Sequence, residues 1–289
     1  VPAHVIPEVL MMVPQRLRPR LITTIHDVVF REFPETYSAR ERWYADHATR
    51  LAVRHADRII VPTHYVAGTL ERWYHADRGK IVVVHHGVSG IRGVASRESR
   101  VTGDSIDSRL PILNSRYVLY VGRLEHKKNV IRMVEAFNAT ASEFSDVQFV
   151  LAGSDGYGAE AVHAVIAQSP YRHRIHTPGW VDVNVYRALL ARAAVFCFPT
   201  LAEGFGSPIL EAMAAGVPVI TSYGGAHEEV AGDAALCVDS LRVDAIANGL
   251  RLLLTDDTRR ASYVTRGQHR AQQFTWKCSA EETWRVLST

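Results

Sequence analysis

Cysteine is scarce in this chain, and long apolar runs are absent. The 289 residues contain three cysteines, Cys197, Cys237 and Cys278, which lie far apart and form no paired-cysteine motif. This spacing argues against a disulfide framework, and a reduced, cytoplasmic protein is expected. No apolar stretch approaches the ~20 residues that a membrane span requires. The apolar segment 5–13 is short and interrupted by proline and glutamate, so it does not predict a signal peptide.

Metal-binding motifs and a strong charge excess are lacking as well. No H-E-x-x-H or comparable ligand spacing occurs, and the neighbouring His85 and His86 point apart in extended backbone. We therefore expect no metal site. The formal net charge of +3 is too small to argue for a nucleic-acid partner.

What is present is an alternation of short apolar runs with segments of helical spacing, which is typical of parallel α/β domains. A length of 289 residues predicts about two such domains. The polar stretch 89–115, rich in Ser, Arg, Gly and Asp, is interpreted as the linker between them. The expected strands are 21–25, 58–61, 80–84, 117–121, 147–152, 175–177, 193–198, 217–222 and 235–238. The longer expected helices are 38–56, 62–74, 130–143, 159–168, 186–194, 209–215, 243–254, 259–274 and 276–287.

One stretch carries most of the chemical information, the segment FCFPTLAEGFGSPILEAMAAGVPVITS at 196–222. It predicts a strand, a glycine turn, a short helix and a second strand. Ser207 is expected as the helix N-cap, with Pro208 at the first helical position. Gly204 and Gly206 lack a Cβ and would let the backbone approach a ligand closely. The unpaired amides and partial positive charge of the helix start suit a phosphate.

Two carboxylates flank this expected anion site. Glu203 precedes the turn and Glu211 lies about one helical turn inside the helix. A carboxylate beside a phosphate site costs repulsion, so acceptance of hydrogen bonds from sugar or ribose hydroxyls is the expected task. The ordinary alternatives are a solvated loop acid for Glu203 and a capping-box acid for Glu211, although Glu211 is one place too late for that box.

A second group of candidate residues follows the strand 117–121. The loop GRLEHKKN places cations between a strand and a helix, where a diphosphate is commonly bound. Arginine can hold a diphosphate with two bonds and lysine supplies a point charge. A solvated basic loop remains the alternative for this loop taken alone. Gly153, at the end of the next strand, is equally explained by turn chemistry.

The two motifs, EGFGSPILE and GRLEHKKN, closely resemble those of retaining glycosyltransferases with the GT-B fold. The family is the large fourth one, also called glycosyl transferases group 1. The resemblance covers nearly all of the chain from Leu21 onward. It implies an α/β fold of two facing Rossmann-like, doubly wound domains with the active site in the cleft.

The resemblance also implies roles for individual residues of the second domain. Glu203 would face the transferred sugar and Glu211 would bind the nucleotide ribose. Arg123 and Lys128 would grip the donor diphosphate, with Lys127 a bystander. The remaining donor-binding expectations are Gly153, Val181, Gly204, Phe205, Gly206, Ser207 and Ile209.

In the first domain, the segment TTIHDVVFREFPE resembles the part of the family whose histidine lies across the cleft from the donor sugar. His26 is thereby a catalytic candidate, although an isolated histidine at a strand end is more often a packing residue. We expect residues 1–110 to form an incomplete acceptor-side domain with the linker, and an N-terminal part of that domain to precede Val1. The donor-binding domain is expected at 111–274, and 275–289 as a helix crossing back to the first domain, with Trp276 and Trp284 packed at the junction.

The resemblance therefore implies a glycosyltransferase that moves a hexose from a nucleotide diphosphate sugar to a glycan or lipid-linked acceptor with retention of configuration. The lack of a metal-binding motif adds the expectation that no metal or other cofactor takes part. Resemblance favours mannose from GDP-mannose. The alternatives are a UDP-glucose enzyme, a nucleotide-sugar epimerase of similar fold and a non-catalytic binding fragment. A phosphorylase-like enzyme is disfavoured because no lysine for pyridoxal phosphate lies between Lys128 and Lys277.

The arginines of the expected helix 38–56 leave two interpretations open. They would contact anionic lipid in an enzyme held peripherally on the inner face of a membrane. A solvated helix face is the more ordinary interpretation.

Overall fold

The computed structural model describes residues 20–88 and 111–289, which divide into two compact units. The first unit contains the described residues up to Gly87, together with Glu203–Phe205 and Phe274–Thr289. The second unit contains the described part of Val88–Ala202 together with Gly206–Gln273. Most of the expected linker, residues 89–110, and the apolar segment 5–13 lie outside the described residues.

The first unit is built on a three-stranded parallel sheet in the order β1-β2-β3. Its strands and first helices are β1 (Ile22–Thr24), α1 (Val29–Glu32), α2 (Ala39–His55), β2 (Arg58–Val61), α3 (His64–Tyr74) and β3 (Ile81–Val83). Ser38 and Glu41 form a reciprocal capping box at the start of α2, and the Thr63 hydroxyl caps α3. The buried side chains of Ile59 and Leu70 lie in the apolar core of this unit.

The second unit is built on a six-stranded parallel sheet in the order β6-β5-β4-β7-β8-β9. Its strands are β4 (Arg116–Val121), β5 (Val147–Ala152), β6 (Ile175–Gly179), β7 (Val195–Phe198), β8 (Val219–Ser222) and β9 (Leu236–Val238). Its helices are α4 (Val130–Thr140), α5 (Ala159–Gln168), α6 (Val183–Arg192), α7 (Ser207–Ala214), α8 (Gly225–Ala231), α9 (Val243–Thr255) and α10 (Asp257–Gln272). Since the strand order reverses between β4 and β7, ligands are expected beyond the carboxyl ends of these two strands.

The central strands of this sheet are buried on both faces, which explains why they read as continuous apolar runs. The side chains of Val118, Leu119, Phe196 and Cys197 are fully buried. Burial raises the pKa of the Cys197 thiol well above its usual value, so this cysteine is an inert core residue.

The last helix, α11 (Trp276–Ser288), belongs to the first unit. Its Val286 packs with Ile60 and Val84 in a small apolar cluster. Trp276, whose ring centre lies 6.1 Å from that of His86, is 52% exposed and Trp284 is 68% exposed, and their packing at a domain junction stays a prediction. The helix turns Val286 inward and leaves Trp284 on its outer side.

No helix among residues 20–88 and 111–289 has the length and apolar character needed to cross a membrane.

Candidate functional site

Two loops of the second unit meet at the reversal of strand order. The first, residues 122–129, follows β4, and the second, residues 199–202, follows β7. The Leu201 amide donates to the Lys127 carbonyl oxygen at 3.0 Å, and the Asn129 side-chain amide donates to the Pro199 carbonyl oxygen at 2.9 Å. These bonds fix the two loops against each other at the place where a ligand is expected.

The loop after β4 carries its cations in two different settings. The buried Glu125 carboxylate lies 3.7 Å from the Lys127 ammonium and 3.8 Å from the Arg123 guanidinium. The Lys128 ammonium instead lies 5.8 Å from the centre of the Phe198 ring, at the end of β7. Arg123 and Lys127 therefore share an internal acid, but the Lys127 side chain is only 24% exposed, whereas that of Arg123 is 62% exposed and reaches solvent.

The loop after β4 also runs beside the loop after β5. The Gly122 amide donates to the Ala152 carbonyl oxygen and the Leu124 amide to the Ser154 carbonyl oxygen, both at 3.0 Å. A Cβ on Gly153 would come within 2.0 Å of the Gly122 carbonyl oxygen. Glycine is thus required at 153 for the contact of the two loops, independently of any ligand.

The start of α7 differs in detail from the expectation. Gly206 is the N-cap, with φ +88°, and Ser207 is the first helical residue, without a side-chain cap bond. The prediction of Ser207 as N-cap was therefore wrong, because the turn enters the helix through a left-handed residue that favours glycine. The Ile209 side chain is fully buried and its amide donates to the Gly206 carbonyl oxygen. Any anion at this helix start would thus meet the amides of Gly206 and Ser207 before that of Ile209.

Glu211, the second flanking carboxylate, has a partner that the sequence did not reveal. The Tyr186 hydroxyl, on α6, donates to Oε2 of Glu211 on α7. Burial, reinforced by the Glu211 charge and this hydrogen bond, raises the pKa of Tyr186 far above its usual value. Tyr186 therefore remains a protonated donor over the whole working range of pH.

The turn Glu203–Phe205 packs within the first unit, although it is flanked in sequence by residues of the second. The Thr63 hydroxyl donates to the Gly204 carbonyl oxygen at 2.9 Å. A Cβ on Gly204 would lie 1.8 Å from the His26 carbonyl oxygen. The position that a Cβ would take is therefore filled by protein backbone, which by itself explains glycine at 204.

This packing brings two of the four catalytic candidates together. His26 follows β1 and is exposed, and its backbone contacts the residue directly after the half-buried Glu203. The neighbouring Asp27 accepts a hydrogen bond from the Val29 amide at 3.1 Å, so it shapes the loop that presents His26.

Aromatic side chains surround the same turn inside the first unit. Phe205 is buried, with its ring centre 4.9 Å from that of His86 and 5.9 Å from that of Phe274. The His86 ring lies 5.6 Å from that of His26. Burial lowers the pKa of His86, and the nearby His26 and His85 lower it further. His86 therefore favours the neutral form beside the candidate His26.

Val181 lies between β6 and α6 and is half-buried. The Asp182 carboxylate caps α6 by accepting from the amides of Asn184 and Val185, so α6 begins earlier than expected. Val181 is thereby held between a strand end and a capped helix start.

Sequence reasoning missed several residues that position the site. Tyr186 gave no signal because its partner is 25 residues away. Asn129 was read only as part of the basic loop, yet its side chain donates to two other loops and its φ is +60°. Asparagine after a basic run is one of the few residues that tolerate this left-handed conformation, and that signal was available.

Comparison with known proteins agrees with the fold. The family model described as glycosyl transferases group 1 matches residues 104–270, more than half of the chain. A second model, glycosyltransferase family 4, matches residues 3–89.

Curated relatives include the Escherichia coli O-antigen chain mannosyltransferase B. It is 28% identical over 277 residues, which cover 93% of this chain and 70% of the relative. The phosphatidyl-myo-inositol mannosyltransferase of Mycolicibacterium smegmatis is 32% identical over 178 residues, covering 60% of this chain and 45% of the relative.

Among solved structures, Anabaena HepE in complex with UDP and glucose aligns with a TM-score of 0.76 at 19% identity. The alignment covers 94% of this chain and 72% of HepE. At this identity the likeness shows the fold alone, and two parallel α/β units accord with it. The chain therefore belongs to the glycosyl transferases group 1 family and is a glycosyltransferase with the GT-B fold.

Proposed function

We propose that the chain transfers mannose from GDP-mannose to a glycan or lipid-linked acceptor, with retention of configuration and without a metal ion. The observation that carries this proposal is the position of the loops after β4 and β7. Both lie where the strand order of the second sheet reverses, and Leu201 and Lys127 join them directly. The two similar mannosyltransferases favour mannose as the sugar.

In this proposal Arg123 and Lys128 stabilise the negative charge that grows on the leaving diphosphate. Fixed cations in a partly dry site stabilise such charge without reorganising at the moment of reaction. Removing one such group typically lowers the rate about 10²- to 10³-fold. The Gly206 and Ser207 amides at the start of α7 would bind the same diphosphate.

Glu203 and His26 would act at the transferred sugar. Their backbone neighbourhood within the first unit supports this pairing, because Gly204 contacts the His26 carbonyl oxygen. We propose that Glu203 accepts hydrogen bonds from sugar hydroxyls and that His26 donates to one. The leaving phosphate would assist removal of the acceptor proton on the same face of the sugar.

The decisive experiment measures sugar transfer from GDP-mannose by the full-length protein and its Lys128→Ala and Lys127→Ala variants. Both changes remove one positive charge from the same loop. We expect about 10²-fold or greater loss of kcat for Lys128→Ala and a much smaller loss for Lys127→Ala, whose ammonium lies against Glu125. Equal losses would refute a specific role for Lys128, and unchanged transfer in both would remove the diphosphate assignment.

A divalent-metal chelator added to the same assay tests metal independence. We expect an unchanged rate, and a rate restored only by Mg²⁺ or Mn²⁺ would overturn that part of the proposal.

The second candidate donor is UDP-glucose, because the structurally similar HepE holds UDP and glucose. Titration calorimetry with GDP and UDP separates the two donors directly. Tighter binding of UDP would replace mannose from GDP-mannose by a UDP-linked sugar. Release of free nucleotide only in the presence of acceptor would distinguish a transferase from an epimerase.

We also propose peripheral contact with anionic lipid through the outer face of α2. Trp43 is 67% exposed and Tyr44 is 52% exposed, and Arg40 and Arg54 are exposed on the same helix. Aromatic and basic side chains on one helix face suit the interface of an anionic membrane. Flotation with vesicles of phosphatidylglycerol and phosphatidylcholine is expected to carry the protein, and a Trp43→Ala, Arg40→Glu variant is expected to stay behind. Flotation equal to that with pure phosphatidylcholine would contradict this contact.

A further inference from the structure

Tyr186 stands out because this half-buried side chain donates its hydroxyl hydrogen bond to a carboxylate near the site. It lies on α6, and its acceptor Glu211 lies on α7, the helix that begins directly after the glycine turn. The two helices are thus connected by a polar bond at the level of the second flanking acid. A hydroxyl that is largely shielded from water and loses its acceptor is left without a hydrogen bond, which costs free energy. This cost favours the conformation in which Tyr186 donates to Glu211.

A second tyrosine hydroxyl that bonds to α6 differs from that of Tyr186 in its acceptor. Tyr117, on β4, is fully buried, and its hydroxyl donates to the Leu189 carbonyl oxygen of α6 at 2.7 Å. That bond joins main chain to side chain within the core of the unit and involves no charged group. Tyr186 belongs to α6 and Tyr117 donates to it, but only Tyr186 touches a residue of the candidate site.

The hydrogen bonds open to Tyr186 and Glu211 follow from the donors and acceptors that their side chains carry. An ionised carboxylate has two oxygens and about four acceptor positions. Tyr186 occupies one of these on Oε2 and leaves acceptor capacity for further donors. Glutamate is flexible in solution, and holding one of its oxygens restricts the directions in which the other can point.

We infer that Tyr186 is a positioning residue that orients the Glu211 carboxylate toward the ribose hydroxyls of the donor nucleotide. The inference rests on the proposed function, which assigns ribose binding to Glu211. Tyr186 does not contact the nucleotide in this scheme and acts through Glu211. Loss of the Tyr186 hydroxyl is therefore expected to weaken binding of the ribose hydroxyls and not to change the chemical step at the sugar directly.

The test uses the full chain and titration calorimetry with GDP, UDP and their 2′-deoxy and 3′-deoxy forms. The readout is the ratio of the deoxy to the ribo dissociation constant, which isolates the contribution of the hydroxyls. The variants are Tyr186→Phe, Glu211→Gln and, as a matched control, Tyr117→Phe. Thermal unfolding of each variant reports separately on stability.

In the wild type we expect the deoxy forms to bind about tenfold or more weakly, as for loss of a hydrogen bond to a charged group. Glu211→Gln should bring the ratio close to one, and Tyr186→Phe should lower it severalfold. Tyr117→Phe should leave the ratio at the wild-type value, even though it also removes a buried hydroxyl. A merely structural bond would change stability in both tyrosine variants without changing the ratio.

The possible results distinguish failure of the positioning role of Tyr186 from failure of the proposed ribose binding by Glu211. A wild-type ratio preserved in Tyr186→Phe but lost in Glu211→Gln would overturn the inference and leave the role of Glu211 intact. A wild-type ratio of one would remove ribose binding by Glu211 and the inference together. Absence of binding of either nucleotide by the wild type would overturn the proposed function itself.

Discussion

At the scale of single residues, two glycines of the first unit predict opposite effects of the same substitution. A Cβ on Gly204 would collide with the His26 carbonyl oxygen, whereas a Cβ on the exposed Gly68, inside α3, meets nothing within 4 Å. Gly204→Ala should therefore destabilise the protein by about 1–3 kcal/mol. Gly68→Ala should stabilise it by about 0.5–1 kcal/mol, because alanine is the better helix former. Urea unfolding measures both, and destabilisation by Gly68→Ala would contradict the described geometry.

His86 predicts a pH dependence of stability. Burial lowers its pKa in the folded state, with His26 and His85 adding to the effect, while the unfolded value is about 6.5. Between these two values the unfolded chain binds more protons, so the free energy of unfolding decreases as pH falls below about 6.5. We expect His86→Asn to lose less stability than the wild type between pH 7.5 and pH 5, measured by urea midpoints.

The exposed His173, on the second unit, supplies the control for that experiment. His173→Asn should keep the wild-type dependence on pH. An unchanged dependence in His86→Asn would show that other histidines carry the effect.

Some of these residue-level features were readable from the sequence and others were not. The basic loop and the paired glutamates are local patterns, and chain order alone places them after strands. The hydroxyl that holds Glu211 comes from another helix, and the carbonyl that fills the space at Gly204 comes from a residue far away in the chain. Such partners depend on tertiary packing, which periodicity does not encode.

At the scale of secondary-structure elements, Asn129 joins three loops of the second unit. Its Nδ2 donates to the Pro199 carbonyl oxygen at 2.9 Å and to the Ser240 carbonyl oxygen at 2.7 Å, and its Oδ1 accepts from Arg132. Asn129→Ala would leave buried carbonyls without this donor and place alanine at a positive φ, at a cost of about 2–4 kcal/mol. Thermal unfolding and transfer assays should both decline.

Asn184, exposed in the first turn of α6, is a suitable control for that variant. Asn184→Ala should change the free energy of unfolding by no more than about 0.5 kcal/mol. If Asn129→Ala were equally mild, the three loops would be held by other contacts.

Comparison of the expected and observed ends of helices and strands shows where the apolar pattern of the sequence is sufficient to predict them. The strands β2 and β5 and the helix α5 have the expected limits, because each is a clear run between strong boundary signals. The start of α6 was placed too late, since Asp182 and not the first apolar side chain sets it. The start of α7 was missed by one residue because the turn uses a left-handed glycine in place of a serine cap.

At the scale of the whole molecule, bound nucleotide should protect the proposed donor loops and leave more distant elements unchanged. Hydrogen exchange with and without GDP is expected to show added protection in the loops 122–129 and 203–207, because bound phosphate and its contacts suppress local opening. The helix α2, which carries no proposed donor contact, should exchange at the same rate in both conditions. Protection confined to α2, or none in either loop, would contradict the proposed donor site. UDP in a parallel experiment gives the same readout for the alternative donor.

The membership of Glu203–Phe205 in the first unit has a consequence for protein engineering. Chimaeras between related transferases are commonly made by exchanging one contiguous half of the chain for another. The turn lies in sequence between two parts of the second unit, so an exchange of that unit would also replace this three-residue turn by the one of the other parent. The imported turn would have to fit the recipient's Thr63 hydroxyl and His26 backbone, so compatible parents are those that match at these two positions.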